Sequence, residues 1–291
     1  MDSKCTSWAR ERSGRGRQRA FTLIELLVVI SIVVLLAAIL LPTLQRVRKQ
    51  AEQVACQSNL RQWGLFLNTY LAENDGKFWY ERTQVGLQEE PQRAVILVRS
   101  WWYLFVINFG NYKDIWLCPA ATVASSQGDQ GAAHRAWRGQ RGAELTPQGR
   151  WEEVEREFLG SYGVNGWVGI SRYEDANRPN SCCWTTPDVK EAANVPLVYD
   201  CRYSLNFGTL SAPPPYEDVA PAVSYSSAVC IDRHDGGINS LFMDWSVRKI
   251  ALKYLWGLKW HREYDTTGPW TKPGGVEPQD WPPWMRRFEN P

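Results

Sequence analysis

Between Phe21 and Leu41 lie 21 residues whose only polar members are Thr22, Glu25 and Ser31. At about 1.5 Å of rise per residue, a helix over this run is roughly 30 Å long, the thickness of a bilayer's hydrocarbon core. A cleaved secretory signal has a shorter apolar region, about 7 to 15 residues, ending in a small-x-small site, and Leu36-Ala37-Ala38 approximates that site poorly. A plain signal anchor fits the length but leaves Glu25 unexplained, because a carboxylate inside a bilayer costs roughly 2.5–3.5 kcal/mol on insertion scales. The flank is informative too. Residues 1–20 carry Lys4, Arg10, Arg12, Arg15, Arg17 and Arg19 against Asp2 and Glu11, a net of +4 in a chain whose total is +2. The remainder is therefore slightly acidic, with no basic surface that would suit nucleic acid. By the positive-inside rule, the N-terminus is expected in the cytoplasm and residues beyond about 45 outside.

The helix is expected to continue past Pro42 to about Glu73. Leu44, Val47, Ala51, Val54, Ala55, Leu60, Trp63, Leu67, Tyr70 and Leu71 recur at three- and four-residue spacings and predict one packed stripe. Arg46, Arg48, Lys49, Gln50, Glu52 and Gln53 fall on the other side, and Asn74-Asp75-Gly76 is a stop signal.

Beyond Gly76 the chain reads as a head of short strands and loops. Strands are expected at Ser161 to Val164, Val195 to Tyr199, Ile238 to Met243 and Ser246 to Leu252. Ala94 to Val98 is β-prone, Trp101 to Phe109 reads as a short helix, and Trp151 to Leu159 as another. Residues 121–150 and the Pro-rich 211–223 read as loops. From Thr266 to Pro291 six prolines and three tryptophans predict an irregular tail that wraps the head.

The stretch Ala20-Phe21-Thr22-Leu23-Ile24-Glu25 resembles the class III signal of type IV prepilins and type II secretion pseudopilins. The resemblance implies that prepilin peptidase, a membrane-embedded aspartate protease, cuts between Ala20 and Phe21 and that the new N-terminal Phe21 is methylated. It also implies a role for Glu25: in a low-dielectric medium its carboxylate neutralises the Phe21 amine of a neighbouring subunit while the apolar helices bundle into a filament. The family carries Gly before the cut. Ala20 is the closest residue in size, so cleavage is expected, though slower.

A second resemblance covers the head, through Cys56-Gln57-Ser58-Asn59-Leu60-Arg61-Gln62, Trp116-Leu117-Cys118-Pro119, Ser161-Tyr162-Gly163-Val164-Asn165, Leu197-Val198-Tyr199-Asp200 and Arg233 to Asp244. These are similar to the landmarks of pseudopilin-like proteins abundant in planctomycete and verrucomicrobial genomes, which end in His, nine residues, then Asp-Gly. His234 and Asp244 match, while Trp245 stands where the family has Gly, which implies a wider hairpin turn here. Because Cys56 and Cys118 both fall in landmarks, the resemblance suggests them as a disulfide candidate. Without Cys5, which leaves with the leader, six cysteines remain in an oxidising exterior, either paired or as buried free thiols.

Asp200, Asp232, Asp235, Asn239 and Asp244 have the oxygen-rich character of a hard-cation site, and a Ca²⁺ cofactor fits the calcium loops of related pseudopilins. Asx-type turn capping is the competing reading for the same residues. His234 as a zinc ligand finds no partner at a metal-binding spacing, since His134 sits in the 121–150 loop and His261 stands alone. A nucleophile with an assigned base and orienter is not assembled either, so enzymatic activity is not expected.

These readings define an α+β chain: a leader at 1–20, a transmembrane and filament-core helix at 21–42, its extracytoplasmic half at 43–75, a small antiparallel head with long irregular loops at 76–265, and a tail at 266–291. The expected function is that of a pilin-like structural subunit, single-pass in a bacterial inner membrane with a periplasmic head, and then part of a type II secretion pseudopilus or type IV pilus-like filament. Expected partners are prepilin peptidase, other pilin-like subunits and an inner-membrane assembly platform. The alternative is a membrane-anchored module that binds a glycan or another polymer through some of the 16 tryptophans.

Overall fold

The structure, a computed structural model, describes residues 22–79, 113–125, 131–139, 142–145, 151–154, 158–170, 179–203, 205–206, 212–216 and 226–291. Ala20, Phe21, Ala94 to Val98 and Trp101 to Phe109 lie outside the described residues. The chain separates into two compact units, 1–47 and 48–291.

One helix, α1 (Leu23–Glu73), belongs to both units and contains Pro42. It ends at Asn74-Asp75-Gly76, where Asp75 and Gly76 take φ of 53° and 71° and the Gly76 N–H donates to the Leu71 carbonyl. That left-handed exit satisfies a carbonyl the last turn would otherwise orphan. In the first unit the Leu, Ile and Val residues of α1, from Leu23 to Val47, are exposed. In the second unit Cys56, Leu60, Trp63, Gly64, Leu67 and Leu71 form the buried stripe. The stripe is narrower than expected: Leu44, Val47 and Val54 are exposed, and Cys56, a residue the apolar pattern did not use, begins it.

Among the described residues the head has nine strands: β1 (Trp137–Gly139), β2 (Gly142–Leu145), β3 (Trp151–Val154), β4 (Phe158–Gly160), β5 (Tyr162–Asn165), β6 (Pro196–Asp200), β7 (Leu205–Asn206), β8 (Gly237–Phe242) and β9 (Val247–Ala251). A five-stranded sheet has the order β7-β5-β6-β8-β9, antiparallel except for the β5/β7 pair, while β1/β4 and β2/β3 form two separate antiparallel pairs. The α+β class is as expected, and four of the five main strands fall where alternation placed them. The segment 121–159 is different. Where a loop and a short helix were expected, β1 to β4 pair across it, because the Trp137↔Gly160 and Leu145↔Trp151 registers draw both arms of the excursion together. Such pairing is long-range and has no periodic signature in segments of three or four residues.

Both faces of the central sheet are covered. Every residue of β6 and β8 is buried, as expected for strands with no solvated side. One core joins the α1 stripe to Val164, Leu197, Leu241 and Met243. The other joins Tyr199, Ile238 and Phe242 to Trp256, Trp260, Trp281 and Met285. The tail thus packs on the sheet as a chain of turns, with Trp281 and Met285 inserted and Trp284 donating to the Pro215 carbonyl at 2.9 Å. Each fully buried large side chain contributes about 1.5–3 kcal/mol, so most of the head's stability resides in these two layers.

The β8–β9 turn is tight, not wide. Phe242 N–H bonds to Ser246 O and Trp245 N–H to Phe242 O, closing a three-residue loop in which Trp245 itself takes φ 66°. This is the three-residue hairpin geometry with a left-handed third position, and a bulky side chain occupies it at a cost that Gly would avoid.

Candidate functional sites

At the N-terminus of α1, Thr22 and Glu25 bond reciprocally. The Thr22 N–H and hydroxyl donate to Glu25 Oε2 at 2.9 and 2.8 Å, and the Glu25 N–H donates to Thr22 Oγ1 at 3.3 Å. This is a capping box, in which a Thr and a Glu three residues on satisfy two orphaned helix donors. It was readable as Thr-x-x-Glu and was not used in the sequence reading. Its consequence is that one carboxylate oxygen is already committed within the chain, while Oε1 has no partner among the described residues and remains available to a cation from elsewhere.

A second site lies inside the head. Cys56 from α1, Cys118 from the turn after the 3₁₀ segment Lys113–Trp116, Asp200 at the end of β6 and His234 before β8 are all buried, and their ligating atoms lie within 4.8 Å of one another. The helix sets up two of the four. Asn59 Nδ2 donates to the Leu117 carbonyl at 3.0 Å and Trp63 Nε1 to the Ile115 carbonyl at 2.9 Å, with Trp63 edge-on to Trp116 at 5.0 Å. These bonds fix residues 115–118 against α1 and bring Cys118 to Cys56. Asp200 is carried by β6, and His234 by the bend before β8, where Asp235 and Gly236 take φ of 52° and 82° and Asp232 Oδ1 accepts from the Gly236 N–H at 2.6 Å.

The distances are short and shared. His234 Nε2 is 3.3 Å from Cys118 Sγ and 3.1 Å from Asp200 Oδ2, and Cys56 Sγ is 3.6 Å from both Asp200 oxygens. A surrounding shell orients the donors. Tyr162 donates its hydroxyl to Cys56 Sγ at 3.4 Å, the Asn239 N–H donates to Asp200 Oδ2 at 2.8 Å, and Arg233 Nη1 pairs with Asp200 Oδ1 at 3.0 Å. Arg233 is itself fully buried, its remaining donors taken by the carbonyls of Ala132, Ala133, Ser161 and Cys201. Burial alone would raise the Asp200 pKa, but the Arg233 charge and His234 outweigh it and hold the carboxyl at about 2. Burial would lower His234, yet its bonds to Asp200 and Cys118 lift it to about 9. Burial pushes the Cys56 thiol well up, whereas in Cys118 the bonds from Cys56 and His234 together with Arg233 overcome burial and bring it to about 7.

The expected site residues divide accordingly. Of the five oxygen donors considered for Ca²⁺, Asp200 alone belongs to the cluster. Asp232 caps the bend and pairs with Arg287 at 3.0 Å, and Asp244 accepts from the N–H and hydroxyl of Ser246 in an Asx turn. Asn239 ties β8 to α1, accepting from Gln57 at 3.1 Å and donating to the Gln53 carbonyl, and Asp235 is exposed. Cys56 and Cys118 are brought together but are not bridged, and all six cysteines of the head are buried. The neighbours with metal-ligating side chains that spacing did not supply to His234 come from residues 56, 118 and 200. No tryptophan whose burial is described is exposed, and Trp101 and Trp102 lie outside the described residues.

Two comparisons, with curated proteins and with solved structures, return no match. α1 is long and apolar enough to cross a membrane. Residues 15–41, covering the end of the basic flank and this apolar half of the helix, match the family model of the prokaryotic N-terminal methylation motif, so the chain carries a prepilin-type signal at the head of α1.

Proposed function

We propose that this protein is a pilin-like structural subunit, cut by prepilin peptidase between Ala20 and Phe21, methylated on Phe21, and assembled through α1 into a type II secretion pseudopilus or a related pilus-like filament. The observation that carries this reading is the methylation motif at residues 15–41 placed on a helix whose first half is apolar on every side. A helix hydrophobic all round needs lipid or other helices as its surroundings. Before assembly it would anchor the chain in the inner membrane with the head outside; within a filament it would pack on copies of itself or related subunits.

Glu25 has a defined part in this scheme. With Oε2 held by Thr22, Oε1 would receive the methylated amine of Phe21 from a neighbouring subunit. The charge pair would set the axial register of the helices, and the apolar surface would supply most of the association energy. The assembly platform and sibling subunits are the partners this scheme requires.

The test is processing. In cells that contain a prepilin peptidase, the membrane-extracted chain is expected to begin at methylated Phe21, with an intact mass reduced by the 20-residue leader. A chain that keeps Met1 in those cells would overturn the proposal, because Glu25 would then have no terminal amine to meet.

A further inference from the structure

We propose that Cys56, Cys118, Asp200 and His234 form a structural zinc site that fastens α1 to the sheet of the head. The donor set is two thiols, one imidazole and one carboxylate, four groups in all, which matches the closed four-coordinate chemistry of structural zinc; thiolate and imidazole donors disfavour Ca²⁺ and Mg²⁺.

Geometry supports the assignment independently of residue type. A tetrahedral zinc with bonds of about 2.0–2.3 Å sets its donors roughly 3.3–3.8 Å apart. Among the six donor pairs, the separations of 3.1 Å for His234 to Asp200, 3.3 Å for His234 to Cys118 and 3.6 Å for Cys56 to Asp200 fall in or just under this range, and all six lie within 4.8 Å. Hydrogen bonding accounts for this arrangement less well. Nε2 of His234 has a single in-plane direction for a proton or a lone pair, so it cannot make good bonds to Cys118 and Asp200 together. A cation at the common centre satisfies all four donors at once.

Charge and surroundings agree. With both thiols deprotonated, the three anionic ligands exceed a dication by one negative charge, and the buried Arg233 beside Asp200 cancels it. Tyr162 on Cys56, and Asn239 with Arg233 on Asp200, orient first ligands as outer partners do in metal centres. The four ligands come from α1, the turn after Lys113–Trp116, β6 and the approach to β8, so a bound ion would crosslink these elements as a disulfide would. Metal binding would then be coupled to folding of the head.

The experiment uses the full-length chain, extracted in detergent, dialysed against metal-free buffer and analysed for elemental content. About one zinc per chain is expected. Cys118→Ser and His234→Asn should lose it, while Cys182→Ser, at a thiol outside the cluster, should keep it. Because the ligand variants can fail to fold, the wild-type chain is also reconstituted with Co²⁺, which should give the intense visible bands and thiolate-to-metal charge transfer of a tetrahedral site. Two results overturn the proposal. One is a Cys56–Cys118 disulfide found by non-reducing peptide mapping of the native chain. The other is a reduced chain that takes up neither zinc nor cobalt when these are supplied.

Discussion

The two halves of α1 share one secondary structure and differ in what surrounds them. From Leu23 to Val47 the helix presents Leu, Ile and Val side chains on all sides, and none of them is buried. From Arg48 to Glu73 it presents a single stripe, Cys56 through Leu71, and buries it in the head's own core. Helix propensity does not distinguish the halves. The distribution of apolar residues around the axis does, and it decides whether a helix completes its packing within the chain or needs lipid or other chains for it.

The largest expected effect separates the halves most sharply. Trp63→Ala removes a fully buried ring, its bond to the Ile115 carbonyl and its edge contact with Trp116. It should destabilise the head by about 3–5 kcal/mol in denaturant unfolding and leave membrane insertion unchanged. Val33→Asp should do the reverse: insertion becomes less favourable by roughly 3–4 kcal/mol, read as a loss of the membrane-integrated fraction, while the head unfolds as before. If either variant disturbed both properties equally, the two halves would not be independent as described.

Next in size are two changes at Glu25 that separate its capping from its charge. Gln can close a capping box but cannot pair with an amine as an anion. Glu25→Gln and Glu25→Ala should therefore both insert and both assemble poorly, with sedimentable filament as the measure. Normal filaments from Glu25→Gln would reduce Glu25 to a helix cap.

A smaller effect concerns pH. Burial, with the Lys259 charge, lowers the His261 pKa below its ordinary value, and the ring lies 4.6 Å from that of Trp167. The unfolded chain binds this proton more tightly than the folded one, so His261 takes stability away as pH falls through the ordinary histidine range, while His234, lifted to about 9, adds stability over the same range. His261→Gln should remove the first contribution alone, so in unfolding titrations the variant should gain stability relative to the native chain between about pH 7.5 and 5.5. At the bottom of the scale, Leu65→Ala on the exposed side of the second half should change stability by less than about 0.5 kcal/mol.

What was legible in the sequence follows the range of the interactions involved. The extent of α1 could be read because an unbroken apolar run and Asn74-Asp75-Gly76 are local signals. Strands β5, β6, β8 and β9 could be read because each is a compact apolar or alternating run. The pairs β1/β4 and β2/β3 could not, since their identity lies in partners across the excursion. The Cys56–Cys118–Asp200–His234 cluster is the extreme case: spacing rules look for ligands a few residues apart, and here they are 62, 82 and 34 residues apart along the chain. The Thr22–Glu25 cap, by contrast, was local and legible, and was obscured by the more conspicuous question of a carboxylate in an apolar run.

The most direct test of the first half's role is zero-length carbodiimide crosslinking of carboxylate to amine in filaments assembled from mixed isotopically labelled and unlabelled chains, followed by peptide mass spectrometry. The account predicts an amide between the Phe21 nitrogen and the Glu25 carboxylate in peptides that carry one labelled and one unlabelled half. Filaments in which that crosslink is missing, or joins only residues of the same chain, would contradict it.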